Sequence, residues 1–511
     1  MSDHAVDLEG QTIPQDVLQR VPAAMARLHT LVPVAFERNT LTVALADPDD
    51  LGALDDLRAA LGCQVKTVAA PEAQVRAAVA KYYGGAQESL GDAITALGRA
   101  LPQLGGQGTV AAADASHLRE LATQAPVVHL LNLLLLEAVT TRASDVHFEP
   151  FEQEFKIRFR IDGSCVDIAQ PPKSLSLAIT SRIKVMANLD VAESRLPQDG
   201  RILLHVEGRQ VDLRVSTLPT IFGESIVLRV LDKEQVQLSL DQLGMPEALR
   251  ERLERIITMP NGIVLVTGPT GSGKTTTLYS CLRQINRTDV KVITTEDPVE
   301  YDIPGLVQVP VNPKIKLDFA ACLRSILRQD PDIIMVGEIR DGETAQISVQ
   351  ASLTGHLVFS TLHTNDAPGA ITRLIDMGVE PFLIVSTLRA VLAQRLVRQI
   401  CADCREPYTL TPEERRELGL EGKASSKLTC FRGRGCATCY NNGYRGRVGL
   451  YEFFQMSEAL RPLVLEHASV DELRRVARTE GMRTLREDGL DKIAQGVTTI
   501  DEVLKETQAY A

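Results

Sequence analysis

One eight-residue segment constrains this 511-residue chain more than any other: Gly268-Pro269-Thr270-Gly271-Ser272-Gly273-Lys274-Thr275. It fits the pattern G-x-x-x-x-G-K-[ST], with an apolar run at 263–266 before it and a helical run at 275–285 after it, which is the strand–loop–helix context the pattern requires. Glycines let backbone N–H groups close around phosphate oxygens where a Cβ would intrude. The start of the helix adds partial positive charge. The segment from Gly268 to Thr276 (with Pro269, Thr270, Gly271, Ser272, Gly273, Lys274 and Thr275) is therefore expected to cradle ATP. Lys274 would reach the β- and γ-phosphates and the Thr275 hydroxyl would coordinate Mg²⁺.

Apolar runs at 263–266, 290–294, 333–336 and 358–361 alternate with helical stretches. Such alternation predicts an α/β fold, a largely parallel sheet with helices on both faces, over 238–400. Ligands of such sheets sit beyond the carboxyl ends of the strands. Glu296 and Glu338 close the second and third runs, so both are expected near the phosphates. Glu338 is assigned to polarise the attacking water, and Glu296 to support that water or the Mg²⁺ shell. The competing reading makes both of them solvent-facing turn residues. His363 and His356 flank the next strand, and His363 is the candidate γ-phosphate sensor. A satisfied structural histidine is the alternative for each.

Developing charge in phosphoryl transfer is stabilised by guanidinium groups. Arg324 and Arg328 share a helix face, and Arg340 follows Glu338. Arg214 and Arg229 lie outside the core, so they act only on domain closure or from a neighbouring subunit. Ordinary surface ion pairs compete for each of these arginines.

The rest of the chain divides by composition. Residues 1–85 read as a small α/β block and 86–116 as a Gly- and Ala-rich linker. Residues 117–237 read as an α+β domain with a hairpin turn at Asp162-Gly163. A cysteine-bearing insert occupies 401–440, and 441–511 reads as helical, with capping boxes opening at Ser469 and Thr499. Cys401-x-x-Cys404 and Cys436-x-x-Cys439 offer four thiolates for a closed, structural Zn²⁺ site. The 31 residues between the pairs exceed the usual spacing, so the insert must loop out. Cys430 is a spare thiol, and a set of free thiols is the competing reading.

The net charge of −11, the absence of Trp and an aromatic content of 4% argue against a nucleic-acid partner, which calls for basic stripes and stacking platforms. The first residues lack the apolar core of a secretory signal. The apolar stretch 127–139 is interrupted by His129, Asn132 and Glu137 and is too short to span a bilayer. It reads as a buried amphipathic helix, so membrane contact is expected only through partners.

Together these motifs resemble the ATPase family that drives type II secretion (its E component) and type IV pilus extension. The resemblance runs from about Pro126 to the C-terminus and more loosely over 11–83. It is carried by Ala143-Ser144-Asp145-Val146-His147-Phe148-Glu149-Pro150, Arg158-Phe159-Arg160-Ile161-Asp162-Gly163, Pro197-Gln198-Asp199-Gly200-Arg201 and Asp212-Leu213-Arg214-Val215-Ser216-Thr217-Leu218-Pro219. Residues 296–301 look like the family's Asp box, 328–341 like its Walker B segment and 354–365 like its His box. The Walker B segment ends Gly337-Glu338 where the family usually has Asp-Glu.

The resemblance implies a RecA-like core in a cytoplasmic homo-hexamer, with Arg214 and Arg229 reaching the phosphates. It further implies an inner-membrane platform as the object of work, pilins or pseudopilins as load, and a membrane-anchored docking protein for the N-terminal block. Residues 371–382 look closer to the secretion branch than to the pilus branch. Some relatives carry RLG-type repeats that bind cyclic-di-GMP; none is read in residues 1–85, and that ligand is not expected. A nucleic-acid translocase and a nucleotide-binding scaffold without turnover are the competing functions.

Overall fold

Period-two alternation of apolar residues shapes the first part of the chain. The computed structural model describes residues 6–48, 51–84, 90–91, 93–95, 115–206, 209–232, 239–417 and 429–508. They fall into two compact units, 1–235 and 236–511. Most of the expected linker 86–116 lies outside the described residues.

In the first unit, β1 (Leu31–Glu37), β2 (Thr40–Leu45) and β3 (Gln64–Ala69) form a three-stranded sheet, β1–β2 antiparallel and β2–β3 parallel. A parallel pair needs a crossover, and helix Leu51–Leu61 supplies it. An antiparallel six-stranded sheet follows, in the order β6-β5-β4-β9-β8-β7. Its strands are β4 (Asp145–Pro150), β5 (Phe155–Ile161), β6 (Ser164–Ala169), β7 (Gln198–Val206), β8 (Arg209–Thr220) and β9 (Gly223–Asp232). The expected hairpin at Asp162-Gly163 joins β5 to β6, with positive φ at both residues as a type I′ turn demands.

Helix Ala125–Thr140 contains the apolar stretch read as amphipathic. Its burial is broader than one face: Val127, Leu130, Leu131, Leu134 and Leu135 join the core of the six-stranded sheet, while Val128 joins the core of the N-terminal block. A helix covered on opposite sides must be apolar nearly all round. Among the described residues no helix is long and apolar enough to cross a membrane.

The N-terminal block is thus packed against the helix that starts the next segment. Polar contacts reinforce the packing. Asp56, on helix Leu51–Leu61, accepts from Arg182 on helix Ser176–Met186, and lies 3.0 Å from His29 Nε2. All three side chains are buried.

In the second unit, β10 (Gly262–Thr267) is buried at every residue, as a central parallel strand should be. Around it run β11 (Val292–Glu296), β12 (Leu306–Pro310), β13 (Ile333–Val336), β14 (Leu357–Leu362), β15 (Leu388–Ile400) and β18 (Tyr444–Gln455). The order is β12-β11-β13-β14-β10-β15-β18, parallel except for β18, which pairs antiparallel with β15. The segment 441–511 is therefore not helical throughout: its first strand completes the sheet before helices Leu460–Leu465, Val470–Thr479, Leu485–Ala494 and Ile500–Glu506 begin. The composition of β15 favours helix, with Leu, Ala, Gln and Arg prominent, and its pairing with β10 on one side and β18 on the other overrides that preference.

Removing one partner of a buried ion pair strands the other charge, a loss of about 3–5 kcal/mol. Arg182→Ala is expected to destabilise the first unit by that amount, seen as a lower urea midpoint for the transition that reports on it.

Candidate active site

The phosphate loop leaves β10 at Gly268 and enters helix Lys274–Ile285 at Gly273. Gly268 has φ +151°, and a Cβ there would lie 2.5 Å from the Gln394 carbonyl oxygen. Gly273 has φ +87°, and its Cβ would lie 2.8 Å from the Gln394 amide nitrogen. Only glycine fits at either position, because β15 backs directly onto the loop. The Ser272 hydroxyl is buried without a hydrogen-bond partner, as expected of a group awaiting a polar ligand. Lys274 Nζ donates to the carbonyls of Gly268 (2.9 Å) and Pro269 (3.0 Å), which keeps the ammonium over the loop. Burial lowers its pKa; the Glu338 carboxylate opposes that shift and Arg395 adds to it. Thr275 is exposed at the helix start and Thr276 half-buried. Glycine cradle, orphan hydroxyl and cationic mouth fit ATP with Mg²⁺.

Glu338 follows β13 and faces this mouth. It pairs with Arg340, and its Oε2 lies 3.3 Å from His363 Nε2. Burial alone would raise its pKa, but Arg340 and His363 together bring it below the ordinary carboxylate value, so it is a carboxylate at neutral pH. The segments bearing the pair are stitched together: Ser360 Oγ donates to the Val336 carbonyl and Thr361 Oγ1 to the Gly337 carbonyl, each at 2.8 Å. His363 is about half exposed. His356, at the opposite end of β14, bonds Thr354 and the Ala351 carbonyl and so closes a helix end.

Glu296 ends β11 as expected, but its carboxylate is turned inward. Oε1 accepts from Thr294 (2.5 Å) and Gln308 (3.1 Å), and Oε2 accepts from Tyr279. Both oxygens are engaged in a buried setting, which leaves no open face for water or a metal shell. Arg324 pairs with Glu343 at 2.5 Å on the surface, and Arg328 bonds the Arg324 carbonyl.

Arg214 and Arg229 belong to the first unit, opposite each other on β8 and β9. Arg201 on β7 opposes Arg214. Directly paired residues share a face, so the three form a row along a cleft that also includes Asp199, Ser216 and Val227. Arg229 Nε donates to Asp145 at 3.2 Å.

Sequence reading missed Arg201, Gln394, Arg395 and Thr267. Gln394 and Arg395 adjoin the loop only through strand pairing, and β15 carries no motif, whereas Thr267 directly precedes Gly268. Thr267 Oγ1 lies 2.6 Å from Thr364 Oγ1 and accepts from the Thr364 amide at 2.9 Å. Arg395 donates to the Gln394 and Asn365 carbonyls at 3.0 and 2.9 Å.

The four expected zinc ligands converge. Sγ–Sγ distances are 3.9 Å for Cys401–Cys436, 3.8 Å for Cys404–Cys439 and 3.7 Å for Cys436–Cys439. A tetrahedron with Zn–S near 2.3 Å has edges of about 3.8 Å, so the cluster fits Zn²⁺. Amides of Gly435 and Gly443 donate to Cys404 and Cys439 at 3.3 Å, the support expected for thiolates. Cys430 sits on β17 (Cys430–Gly433), opposite Tyr408 on β16 (Arg405–Tyr408), and is not one of the set. Burial raises its thiol pKa. Four protein ligands leave no open position for catalysis.

Phosphate loop, carboxylate and parallel sheet define a P-loop ATPase. Residues 120–505 match the Type II/IV secretion system protein family, and the chain belongs to it. Residues 4–89 match the MshEN domain. The chain is 45% identical over 508 residues to the "Type IV pilus assembly ATPase PilB" of Myxococcus xanthus, covering 98% of this chain and 88% of that one. It is 47% identical over 480 residues to the "Type II secretion system protein E" of Xanthomonas campestris, covering 94% and 83%. Among solved structures, the Legionella pneumophila ATPase DotB shares the fold, with a TM-score of 0.56 at 23% identity over 74% of this chain and 94% of that chain.

Two outcomes are expected here. Metal analysis should find about one zinc per chain, and Cys404→Ser should lower that content and loosen the insert to proteolysis. The second concerns Glu452 on β18, whose carboxyl burial raises to about 7, with Asp366 adding to the rise and the amides of Ala367 and Leu485 opposing it. Between its ordinary value of 4.5 and about 7 the folded chain keeps a proton that the unfolded chain has released. Stability from this group is therefore full below 4.5 and falls as pH rises towards 7. Glu452→Gln should flatten that part of a melting-temperature profile against pH.

Proposed function

We propose that this chain is the ATP-hydrolysing motor of a type II secretion system. It works as a cytoplasmic homo-hexamer that turns hydrolysis into work on an inner-membrane platform, with membrane contact through partners alone. The observation that carries the reading is the Glu338–His363 pair at the mouth of the phosphate loop, in a chain whose relatives include a type II secretion protein E. Loop amides and Lys274 hold the triphosphate, and the Thr275 hydroxyl holds Mg²⁺. Bound Mg²⁺ neutralises charge on the phosphate oxygens. Glu338 orients the attacking water, and His363 reads the γ-phosphate end. Arg214 and Arg229 supply guanidinium groups to the phosphates, and their row with Arg201 suits that task. Glu296 contributes by fixing the end of β11 through Tyr279 and Gln308. The N-terminal block docks a membrane-anchored protein.

Type IV pilus assembly is the second reading, favoured by the likeness to PilB over nearly the whole chain. A deletion strain discriminates: loss of secreted enzymes from the medium supports the first, loss of surface pili the second.

Hydrolysis itself is tested with purified full-length protein. Glu338→Gln should lower kcat about a hundredfold or more while ATP is still retained, and Lys274→Ala should abolish retention. Wild-type turnover by the Glu338→Gln protein would remove the assigned base. Strong stimulation by single-stranded DNA would point to a translocase instead.

A further inference from the structure

Residues 363–367 are five consecutive positions, each bonded to a different part of the second unit. His363 faces Glu338 at 3.3 Å. Thr364 binds Thr267 at the end of β10. The Asn365 carbonyl accepts from Arg395 on β15 at 2.9 Å. Asp366 Oδ2 accepts from Arg474 Nη2, on helix Val470–Thr479, at 2.6 Å. Its Oδ1 accepts from the Gly369 amide at 2.8 Å, which starts helix Gly369–Asp376. The Ala367 amide donates to Glu452 Oε1 on β18 at 2.8 Å. The first three contacts belong to the nucleotide end. The contacts of Asp366 with Arg474 and of Ala367 with Glu452 reach elements that follow the cysteine insert in the chain.

Asp366, Arg474 and Glu452 are all buried, Glu452 completely. Burying this much charge brings little net stability, because desolvation offsets attraction. It does fix geometry, since each polar atom has few alternative partners in a dry setting. The Ala367 amide on Oε1 anchors that carboxyl group to the run, and the Leu485 amide also acts on it. The run 363–367 is thus gripped from the β18 side by one carboxylate on its backbone and one arginine on its side chain.

We propose that Asp366, Arg474 and Glu452 are positioning residues for ATP hydrolysis: they hold the run 363–367 so that His363 and Thr364 stay aligned on Glu338 and the phosphate loop. The proposal rests on the assignment of Glu338 and His363 given above. It gives the helices after β18 a direct physical hold on the chemistry through a buried contact rather than through the ligand.

The test uses full-length Arg474→Ala, Arg474→Lys, Asp366→Asn, Glu452→Leu and Glu452→Gln. Each is assayed for hydrolysis across ATP concentrations beside Glu338→Gln, with circular dichroism as the check on folding. Misplacing reacting groups by about an ångström costs up to roughly a hundredfold in rate. Folded Arg474→Ala and Glu452→Leu should therefore lose about tenfold or more in kcat, with KM for ATP within about twofold. Arg474→Lys and Glu452→Gln keep a donor and an acceptor at the same places and should recover most of that loss. Asp366→Asn combined with Arg474→Ala should be no slower than the slower single change, because the two act as one unit.

If Arg474→Ala and Glu452→Leu fail to fold, Asp366→Asn decides, since it keeps the acceptor for Gly369 while weakening the ion pair. Wild-type kcat in any folded disruptive variant, or equal losses from conservative and disruptive changes, overturns the proposal. If Glu338→Gln hydrolyses normally, the assignment of the base fails first and this proposal falls with it.

Discussion

The nucleotide end depends on how β10 finishes. All six of its residues are buried between β14 and β15, and Thr267 ties its end to Thr364 through side chain and backbone. Gly268 therefore starts from a fixed point. The Gln394 carbonyl behind it leaves no room for a Cβ, so only glycine can start the loop there. Lys274, Glu338 and His363 reach that mouth because three neighbouring parallel strands end there. A parallel sheet gathers at one edge groups that are far apart in sequence.

The cysteine cluster serves the same sheet beyond the carboxyl end of β15. Adjacent antiparallel strands need only a short hairpin, yet a long insert separates β15 from β18. Cys401 follows directly on Ile400, whose partner in register is Tyr444. Four thiols within 4.8 Å of one another sit at this base, so a bound zinc would close the insert where it leaves the sheet. The register of β18 is then preserved, and with it the place of Glu452.

Much of this was legible in the sequence, and the failures have physical causes. The glycine-rich loop, the places of Glu338 and His363 after their strands and the two Cys-x-x-Cys pairs were readable because each is marked by particular residue types at fixed spacing. The strands at 263–266 and 333–336 were readable because burial on both faces demands unbroken apolar runs. β15 was not, since its residues suit a helix equally well and only pairing makes it a strand. The breadth of burial of helix Ala125–Thr140 was missed because its second cover comes from residues about a hundred positions earlier. Glu296 was read from its place at a strand end, while its orientation depends on Tyr279 and Gln308, which no local pattern announces.

The sequence by itself determined the residue types: a glycine-rich loop with its lysine, a carboxylate just after a buried strand, and two pairs of thiols. Each needs a specific donor at a specific separation along the chain, and a short motif encodes that. Tertiary structure alone decided how the chemistry is supported. Gln394 and Arg395 reach the loop across the sheet, Arg201 joins the arginine row by strand register, and Asp366 meets Arg474 across more than a hundred residues. Such contacts arise from long-range packing, which composition and periodicity do not record.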